Sequence, residues 1–389
     1  MSGRDPGERH RASTPLELLF DLCFVVAVAQ AAAQLSHGLV EGHAGPRLLG
    51  YVMVFFAIWW AWVNFTWFAS AYDCDDVVYR LLTLLQIAGV LVLAAGVPAA
   101  LDSFDFVTVS IGYVIMRVAM IAQWLRAAHD HLAGRSTALR YALGIGLCQI
   151  GWVARLALPG GWGAIGFAVL AVAELAVPVW AESRGTPTSW HPGHINERYG
   201  LFTLIVLGEA VAAATVAVQS GISAHGFSVS LLLVALGGLL LVFGVWWSYF
   251  KHDVTGGLRA SSLRSALLWG YGHYGVFAAI AALGAGLEVG TVAIERHTEL
   301  SAVAAALCVA VPTAVYLLIA GPLQARLHPT GALKQRYVVL AAAVMLLIAA
   351  GASRLTLPLA VLMMGLVLAA LVAAGVISAH RAESRAPVI

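Results

Sequence analysis

The chain alternates between long apolar runs and short polar segments. A membrane-spanning helix needs about 20 mostly apolar residues. By that rule the pattern predicts about twelve spans, at residues 16–36, 47–72, 78–99, 104–125, 138–158, 162–182, 199–219, 228–250, 265–287, 300–322, 335–351 and 356–379. The break at 352–356 also allows one re-entrant hairpin in place of the last two spans. Because no β-barrel alternation is visible, we expect an all-α, polytopic transmembrane bundle.

Composition supports a membrane location. The 389 residues are 61% hydrophobic and 11% charged, whereas soluble domains carry roughly 25% charged residues. The net charge of +2 and the lack of a basic run argue against a nucleic-acid partner. Two acids, Glu17 and Asp21, interrupt the first apolar run and argue against a cleaved signal peptide, so we interpret this run as a retained span. The four cysteines form no C-x-x-C pair, and the sequence indicates no cofactor.

Basic residues predict the orientation, because Lys and Arg favour cytoplasmic loops. With both termini cytoplasmic in the plasma membrane, 17 of the 22 basic residues fall on the cytoplasmic side. The opposite loops are acidic and include Glu41, Asp102, Asp105, Glu288, Glu295 and Glu299.

The predicted domain organisation comprises a cytoplasmic tail at 1–15, six-helix membrane halves at 16–182 and 199–379, a cytoplasmic connector at 183–198 and a cytoplasmic tail at 380–389. Phe20, Trp59-Trp60 and Arg80 recur as Phe202, Trp246-Trp247 and Arg264. A six-plus-six repeat, as in some transporters, would explain the recurrence. Chance alignment of common membrane residues is the alternative.

Ionisable residues inside spans are costly and usually face a cavity or a partner. Glu17 and Asp21 are four residues apart and share a helix face. Similar depths are predicted for four further residues on other spans: Arg117, Glu174, Glu209 and His273. Together they suggest a polar cavity, open to the cytoplasm, whose carboxylates carry protons or hold cations. Alternatively they are structural, with Arg117 paired to Glu174 or Asp21 and His273 hydrogen-bonded in the interior.

The segment YDCDDVVYR contains Asp73, Asp75, Asp76 and Arg80 at the predicted cytoplasmic end of the second span. Its acids could coordinate a hard cation, but capping of the next helix and pairing with Arg80 is the favoured interpretation.

The segment HPGHINER contains His191, His194, Glu197 and Arg198. Its spacing indicates a zinc site only weakly, because the H-E-x-x-H order is absent. The aromatic residues of the second span are interpreted as packing, with an organic-cation cage as the alternative.

The motifs together resemble the bacterial low temperature requirement A (LtrA) family. The matching stretches are ELLFDLCFV at 17–25, DCDDVVYRLLTLLQ at 73–86, HINERYGLFTLIVLGE at 194–209, WWSYF at 246–250 and GYGHY at 270–274. The resemblance implies that the family's pattern includes Glu17, Asp21, Asp73, Asp75, Asp76, Arg80, Glu197, Arg198, Gly208 and Glu209. Arg117 and Glu174 match no motif of the family, and the family name implies no chemistry.

The sequence lacks a P-loop, a G-x-S-x-G motif and an H-E-x-x-H motif. We therefore expect a proton- or cation-coupled secondary transporter of an unknown small solute rather than an enzyme. Glu17, Asp21 and Glu209 would bind the ion, and the Asp73–Asp76 segment with Arg80 and Arg198 would form a cytoplasmic gate. The alternatives are a cation channel, a membrane enzyme acting on lipid or isoprenoid phosphate, and a scaffold or sensor without transport. The lipid bilayer and the solute are the expected partners, and the oligomeric state stays open.

Overall fold

In a computed structural model, the chain folds into α-helices, and the described residues contain no strand. The structure describes residues 1–5, 7–8, 11–159, 161–295, 300–328 and 335–383. The helices are α1 (Pro15–Val40), α2 (Ala44–Tyr72), α3 (Val77–Ser103), α4 (Val107–Asp130), α5 (Arg135–Arg155), α6 (Trp162–Glu182), α7 (Pro192–His225), α8 (Val229–Phe250), α9 (Thr255–Ala260), α10 (Leu263–Glu295), α11 (Ala302–Leu327), α12 (Gln335–Ala350), α13 (Ala352–Leu355) and α14 (Leu357–Glu383).

Ten of the described helices are long and apolar enough to cross a membrane: α1 to α4, α6 to α8, α10, α11 and α14. The predicted polytopic helical bundle is therefore confirmed. The predicted spans at 138–158 and 335–351 also form helices, but these are not among the ten. Three arginines and Gln149 lie on α5. The 16 residues of α12 rise about 24 Å, which is less than the roughly 30 Å of a hydrocarbon core.

The last two apolar runs form separate helices. Between α12 and α14 lies the short helix α13, and Thr356 follows it with a φ of 71°. A left-handed backbone at a β-branched residue cannot continue a helix, so the chain breaks where the sequence predicted.

Two helices, α7 and α10, extend more than five residues beyond a predicted end. Helix α7 begins at Pro192, because proline is tolerated in the first turn of a helix. His194, Glu197 and Arg198, which lie in the predicted connector, are therefore on its first turns. Helix α10 continues to Glu295, so Glu288 lies inside a candidate span instead of the predicted outer loop.

Some residues used in the orientation prediction lie outside the described residues: Arg9, Arg296, Glu299, Lys334 and Arg385. The orientation itself stays a prediction.

The chain divides into two compact units. Unit 1 comprises Met1–Gln34 and Leu48–Phe202, and unit 2 comprises Leu35–Arg47 and Thr203–Ile389. In unit 1, α3 packs on α4, α4 on α5 and α5 on α6; in unit 2, α10 packs on α11, α11 on α12 and α8 on α14. Packing of successive helices is common to many helical bundles, so the six-plus-six repeat and the domain boundaries stay predictions.

Glycines allow the closest helix contacts within each unit. A Cβ added at Gly112 of α4 would overlap the α3 backbone at Leu93, and one added at Gly286 of α10 would overlap the α11 carbonyl of Cys308. Small residues at helix interfaces let backbones approach in this way.

Candidate functional site

Four buried ionisable side chains meet in unit 1 and are called here the Arg198 cluster: Glu17, Asp21, His194 and Arg198. Glu17 and Asp21 come from α1, and His194 and Arg198 come from α7. Their exposed fractions lie between 0% and 1%. The predicted common face of Glu17 and Asp21 is confirmed, because both contact the same arginine.

The arginine bridges the two acids. Its Nη1 lies 3.1 Å from Glu17 Oε1, and its Nη2 lies 2.5 Å from Asp21 Oδ1. The same Nη2 donates to Thr66 Oγ1 at 3.3 Å. The indole Nε1 of Trp62 donates to Asp21 Oδ1 at 2.7 Å, and His194 Nε2 lies 3.1 Å from Glu17 Oε1. The cluster therefore links α1, α2 and α7.

A capping box holds Glu17 in place. The amide of Thr14 donates to Glu17 Oε2 at 2.8 Å, and the Glu17 amide donates to Thr14 Oγ1 at 3.3 Å. This reciprocal pair is the T-x-x-E signature of a helix start, which the sequence contains as TPLE. One carboxylate oxygen thus caps α1 while the other contacts the cluster.

Arg11 extends the buried network. It lies in the predicted tail at 1–15, is 5% exposed and donates to the carbonyls of Ser70 and Ala69. Its Nη2 lies 3.6 Å from Asp73 Oδ2 and 3.9 Å from Glu17 Oε1. Burial raises the pKa of Asp73 and lowers the pKa of Arg11.

The predicted capping and ion pairing at the turn between α2 and α3 are both present. Asp76 Oδ1 accepts the Tyr79 amide at 2.9 Å and caps α3, and the carboxylate also pairs with Arg126 of α4. Asp75 accepts two hydrogen bonds of 2.8 Å from Arg80. Because the acids contact different arginines, they do not converge on a common cation.

Arg117 and Glu174 form a second buried cluster in unit 1. Arg117 Nη2 lies 3.5 Å from Glu174 Oε2, as the structural interpretation predicted. Glu174 also accepts hydrogen bonds from Trp60 Nε1 at 2.8 Å, Trp152 Nε1 at 3.1 Å and the Tyr113 hydroxyl at 3.2 Å. Such a fully satisfied carboxylate ties α2, α4, α5 and α6 together.

The histidines of HPGHINER contact different groups. His191 Nε2 lies 2.8 Å from the Glu8 carbonyl, and its Nδ1 accepts the His194 amide at 3.1 Å. Glu197 accepts the amide of Ser13 at 3.2 Å. Among the described residues, no group of three or more potential metal ligands is present.

The remaining predicted residues lie in unit 2. His273 of α10 is 3% exposed, and its ring nitrogens contact the Tyr249 hydroxyl at 3.0 Å and the Trp269 carbonyl at 2.8 Å. The interpretation as an interior hydrogen-bonded histidine is thus confirmed. Glu209 of α7 is half-buried. Its charge acts on Glu288 of α10, which accepts a hydrogen bond from Ser36.

Charge counting shows what the Arg198 cluster can do. Around the cluster, three buried carboxylates (Glu17, Asp21 and Asp73) face two buried arginines, Arg11 and Arg198, and the partly exposed Arg4 lies 4.0 Å from Asp73 and 2.9 Å from Glu8. With the cluster's histidine neutral, these four acids and three arginines carry one net negative charge. An uncompensated buried charge costs several kcal/mol, so the binding of one proton would make the site neutral.

Four site residues were missed by sequence reasoning: Arg11, Trp60, Trp62 and Arg126. The tryptophans were interpreted as packing, yet two of them hydrogen-bond buried carboxylates. A buried indole normally needs a hydrogen-bond acceptor, so the run of tryptophans beside unpaired acids was an available signal. Nothing in the sequence distinguished Arg11 and Arg126 from the other basic residues of the predicted cytoplasmic segments.

The helices and the buried charges define a multi-pass helical membrane protein in which ion pairs tie spans together. The family described as bacterial low temperature requirement A protein (LtrA) matches residues 12–374. The chain belongs to this family, as its motifs predicted.

An uncharacterised protein of Rhizobium meliloti (strain 1021) is 27% identical to the chain over 262 residues. The match covers 63% of this chain and 59% of that protein, so the chain spans less than two thirds of the relative's length.

Proposed function

We propose that the protein is a proton-coupled secondary transporter of a small solute, and that the Arg198 cluster carries the proton. The observation that supports this most strongly is the shared arginine: one guanidinium contacts both Glu17 and Asp21. The second oxygen of Asp21, Oδ2, is buried and has no hydrogen-bond partner among the described residues. It is therefore the acceptor on which we place the proton.

The geometry favours a proton over a metal cation. A metal bound between the two carboxylates would occupy the position of the Arg198 guanidinium, which lies 2.5 Å from Asp21 and 3.1 Å from Glu17. A cation placed beside that guanidinium would be repelled by it, whereas a proton adds to an existing oxygen and needs no coordination shell.

Protonation would also change the packing. A neutral Asp21 attracts Arg198 less than the carboxylate does, so proton binding loosens the connection between α1 and α7. In this proposal, loading and release of the proton switch α7 between two arrangements. The ion pairs of Asp75 with Arg80 and of Asp76 with Arg126 form the gate at the α2–α3 turn, on the cytoplasmic side, with both termini cytoplasmic.

The test is proton flux in proteoliposomes that contain a pH-sensitive dye. Amino acids, organic acids, organic cations and alkali cations are added outside one class at a time. We expect at least one class to change the luminal pH with the wild-type protein and not with Asp21→Asn. Asp105→Asn is the matched control, because Asp105 is an exposed acid of the same unit that lies outside the Arg198 cluster and the proposed gate, and it should retain most of the flux.

Two results would contradict the proposal: folded wild-type protein that moves no protons with any class, or Asp21→Asn protein that moves them at the wild-type rate. Large unitary currents in single-channel recording would instead indicate the channel alternative.

A further inference from the structure

A wide, open pocket lies where three helices of unit 2 meet: α9, the start of α10 and the end of α11. Its volume is about 700 Å³, which lies within the range of small-ligand sites. A Cβ added at Gly257 of α9 would overlap the Leu327 carbonyl of α11, and Leu258 of α9 is 1% exposed. Helix α9 is therefore packed closely against α11, and this packing fixes one wall of the pocket.

The charged residues of the pocket are two arginines, Arg264 of α10 and Arg326 of α11, and both are exposed. No acid is present among the described residues that line the pocket, and neither arginine forms an ion pair with a described residue. The exposed serines Ser262 and Ser265 add two hydroxyl groups, which lie 3.2 Å apart. The pocket thus offers two positive charges and additional hydrogen-bond donors to a ligand.

The pocket lies at the ends of two candidate membrane spans. Helices α10 and α11 are both long and apolar enough to cross a membrane, and they pack on each other. Arg264 is the second residue of α10, and Arg326 is the last but one residue of α11. Because the ends of a span lie near the lipid headgroups, we expect both guanidinium groups at the headgroup level.

Leucines continue from the arginines toward the middle of the two candidate spans, and both line the pocket. Leu268 follows Arg264 by four residues, so it shares a face of α10 with it, and it is 44% exposed. Leu323 precedes Arg326 by three residues and likewise shares a face of α11 with it. Positive charge at the headgroup level with leucines one turn deeper fits a ligand that has an anionic head and an apolar tail.

We propose that this pocket binds the headgroup of an anionic phospholipid. Guanidinium groups form paired, charge-assisted hydrogen bonds with phosphate oxygens, and the leucines contact the upper part of the acyl chains. Basic pockets between spans are typical sites for acidic headgroups. A choline headgroup is a poorer ligand, because the two arginines repel its positive charge. The pocket includes no residue of the Arg198 cluster, and binding at it does not depend on transport.

The test is a lipid titration of the purified full chain in a neutral detergent, with bound lipid counted by native mass spectrometry and the unfolding temperature measured alongside. Dioleoyl phosphatidylglycerol is the acidic lipid, and dioleoyl phosphatidylcholine carries the same chains on a zwitterionic headgroup. We expect phosphatidylglycerol to bind more tightly and to raise the unfolding temperature more. The double variant Arg264→Gln, Arg326→Gln should weaken its binding at least about tenfold. Arg259→Gln removes an exposed arginine of α9 that does not line the pocket, and it should leave the binding unchanged.

Glycerol phosphate tests the other source of a phosphate group, a soluble ester. We expect it to bind much more weakly than phosphatidylglycerol, because it lacks the acyl chains. The double variant breaks no ion pair of the described residues and should fold; if it does not, the two single variants decide, and each should weaken lipid binding. The proposal is overturned if phosphatidylcholine or glycerol phosphate binds as tightly as phosphatidylglycerol, if the folded Arg264 and Arg326 variants keep the wild-type affinity, or if Arg259→Gln weakens binding as much as they do.

Discussion

The two units treat buried acids differently. In unit 1, Glu17 and Asp21 are at most 1% exposed, and both contact Arg198. In unit 2, Glu209 and Glu288 are only half-buried, and neither forms an ion pair with a described residue. Their influence on each other is repulsive. The fully buried acids are thus the ones that pair with an arginine.

This difference follows from the cost of dehydrating a charge. A fully buried carboxylate is tolerated only with a partner that replaces its hydration. A half-buried carboxylate keeps part of its hydration and needs no such partner. We therefore expect substitutions in the paired acids of unit 1 to affect folding strongly, and substitutions in the lone acids of unit 2 to affect it little.

The largest effect is expected for Arg198→Gln. It leaves Glu17 and Asp21 buried without a cation, and breaking a buried pair in this way costs about 3–5 kcal/mol. The free energy of unfolding in detergent measures the loss. The triple variant Arg198→Gln, Glu17→Gln, Asp21→Asn removes all three charges and should recover most of the stability. An Arg198→Gln protein as stable as the wild type would remove the distinction between the units.

A smaller effect is expected for Asp76→Ala at the start of α3. The loss of a helix cap costs about 1 kcal/mol. The Arg126 guanidinium, and then the Tyr79 amide, hold the pKa of Asp76 below its ordinary value of 3.8. The ionised carboxylate therefore stabilises the fold above about pH 4, and this contribution disappears as the pH falls through the lower, folded-state pKa.

The measurement for Asp76→Ala is the difference in unfolding temperature from the wild type as a function of pH. The difference should be largest near neutral pH and should shrink in acid. Asp75→Asn is the control, since its ion pair with Arg80 is exposed and contributes little to stability. A difference that grows on acidification would contradict the assigned sign.

The smallest effect on stability is expected for Glu209→Gln. The substitution removes a lone half-buried charge and breaks no ion pair of the described residues, so the free energy of unfolding should change by less than about 0.5 kcal/mol or increase. Chemical denaturation of Glu209→Gln and of Arg198→Gln in detergent, each compared with the wild type, checks this expectation. A loss comparable with that of Arg198→Gln would mean that Glu209 has a cation partner after all.

The helices were predictable from the sequence because hydropathy is a local property. The common face of Glu17 and Asp21 follows from a spacing of four residues and was predicted for that reason. The partner of Asp21 could not be predicted in the same way, because Arg198 lies 177 residues away along the chain. Only tertiary packing brings them together. The length of α10 was underestimated at Glu288, since an acid near the end of an apolar run resembles the end of a span.

The pairing of Arg117 with Glu174 shows what depth along the spans can add. Both residues were predicted at similar depths, and the structure brings them within 3.5 Å. Depth does not indicate rotation about the helix axis, so the three aromatic donors to Glu174 could not be assigned from the sequence.

The central claim is that the Arg198 cluster binds one exchangeable proton, and a differential proton titration tests it most directly. The wild-type protein is titrated in detergent beside the triple variant that lacks the charges of Glu17, Asp21 and Arg198, over the pH range in which both stay folded. The account predicts that the wild type takes up one proton per chain more than the variant on acidification. Superimposable titration curves for the two folded proteins would contradict it.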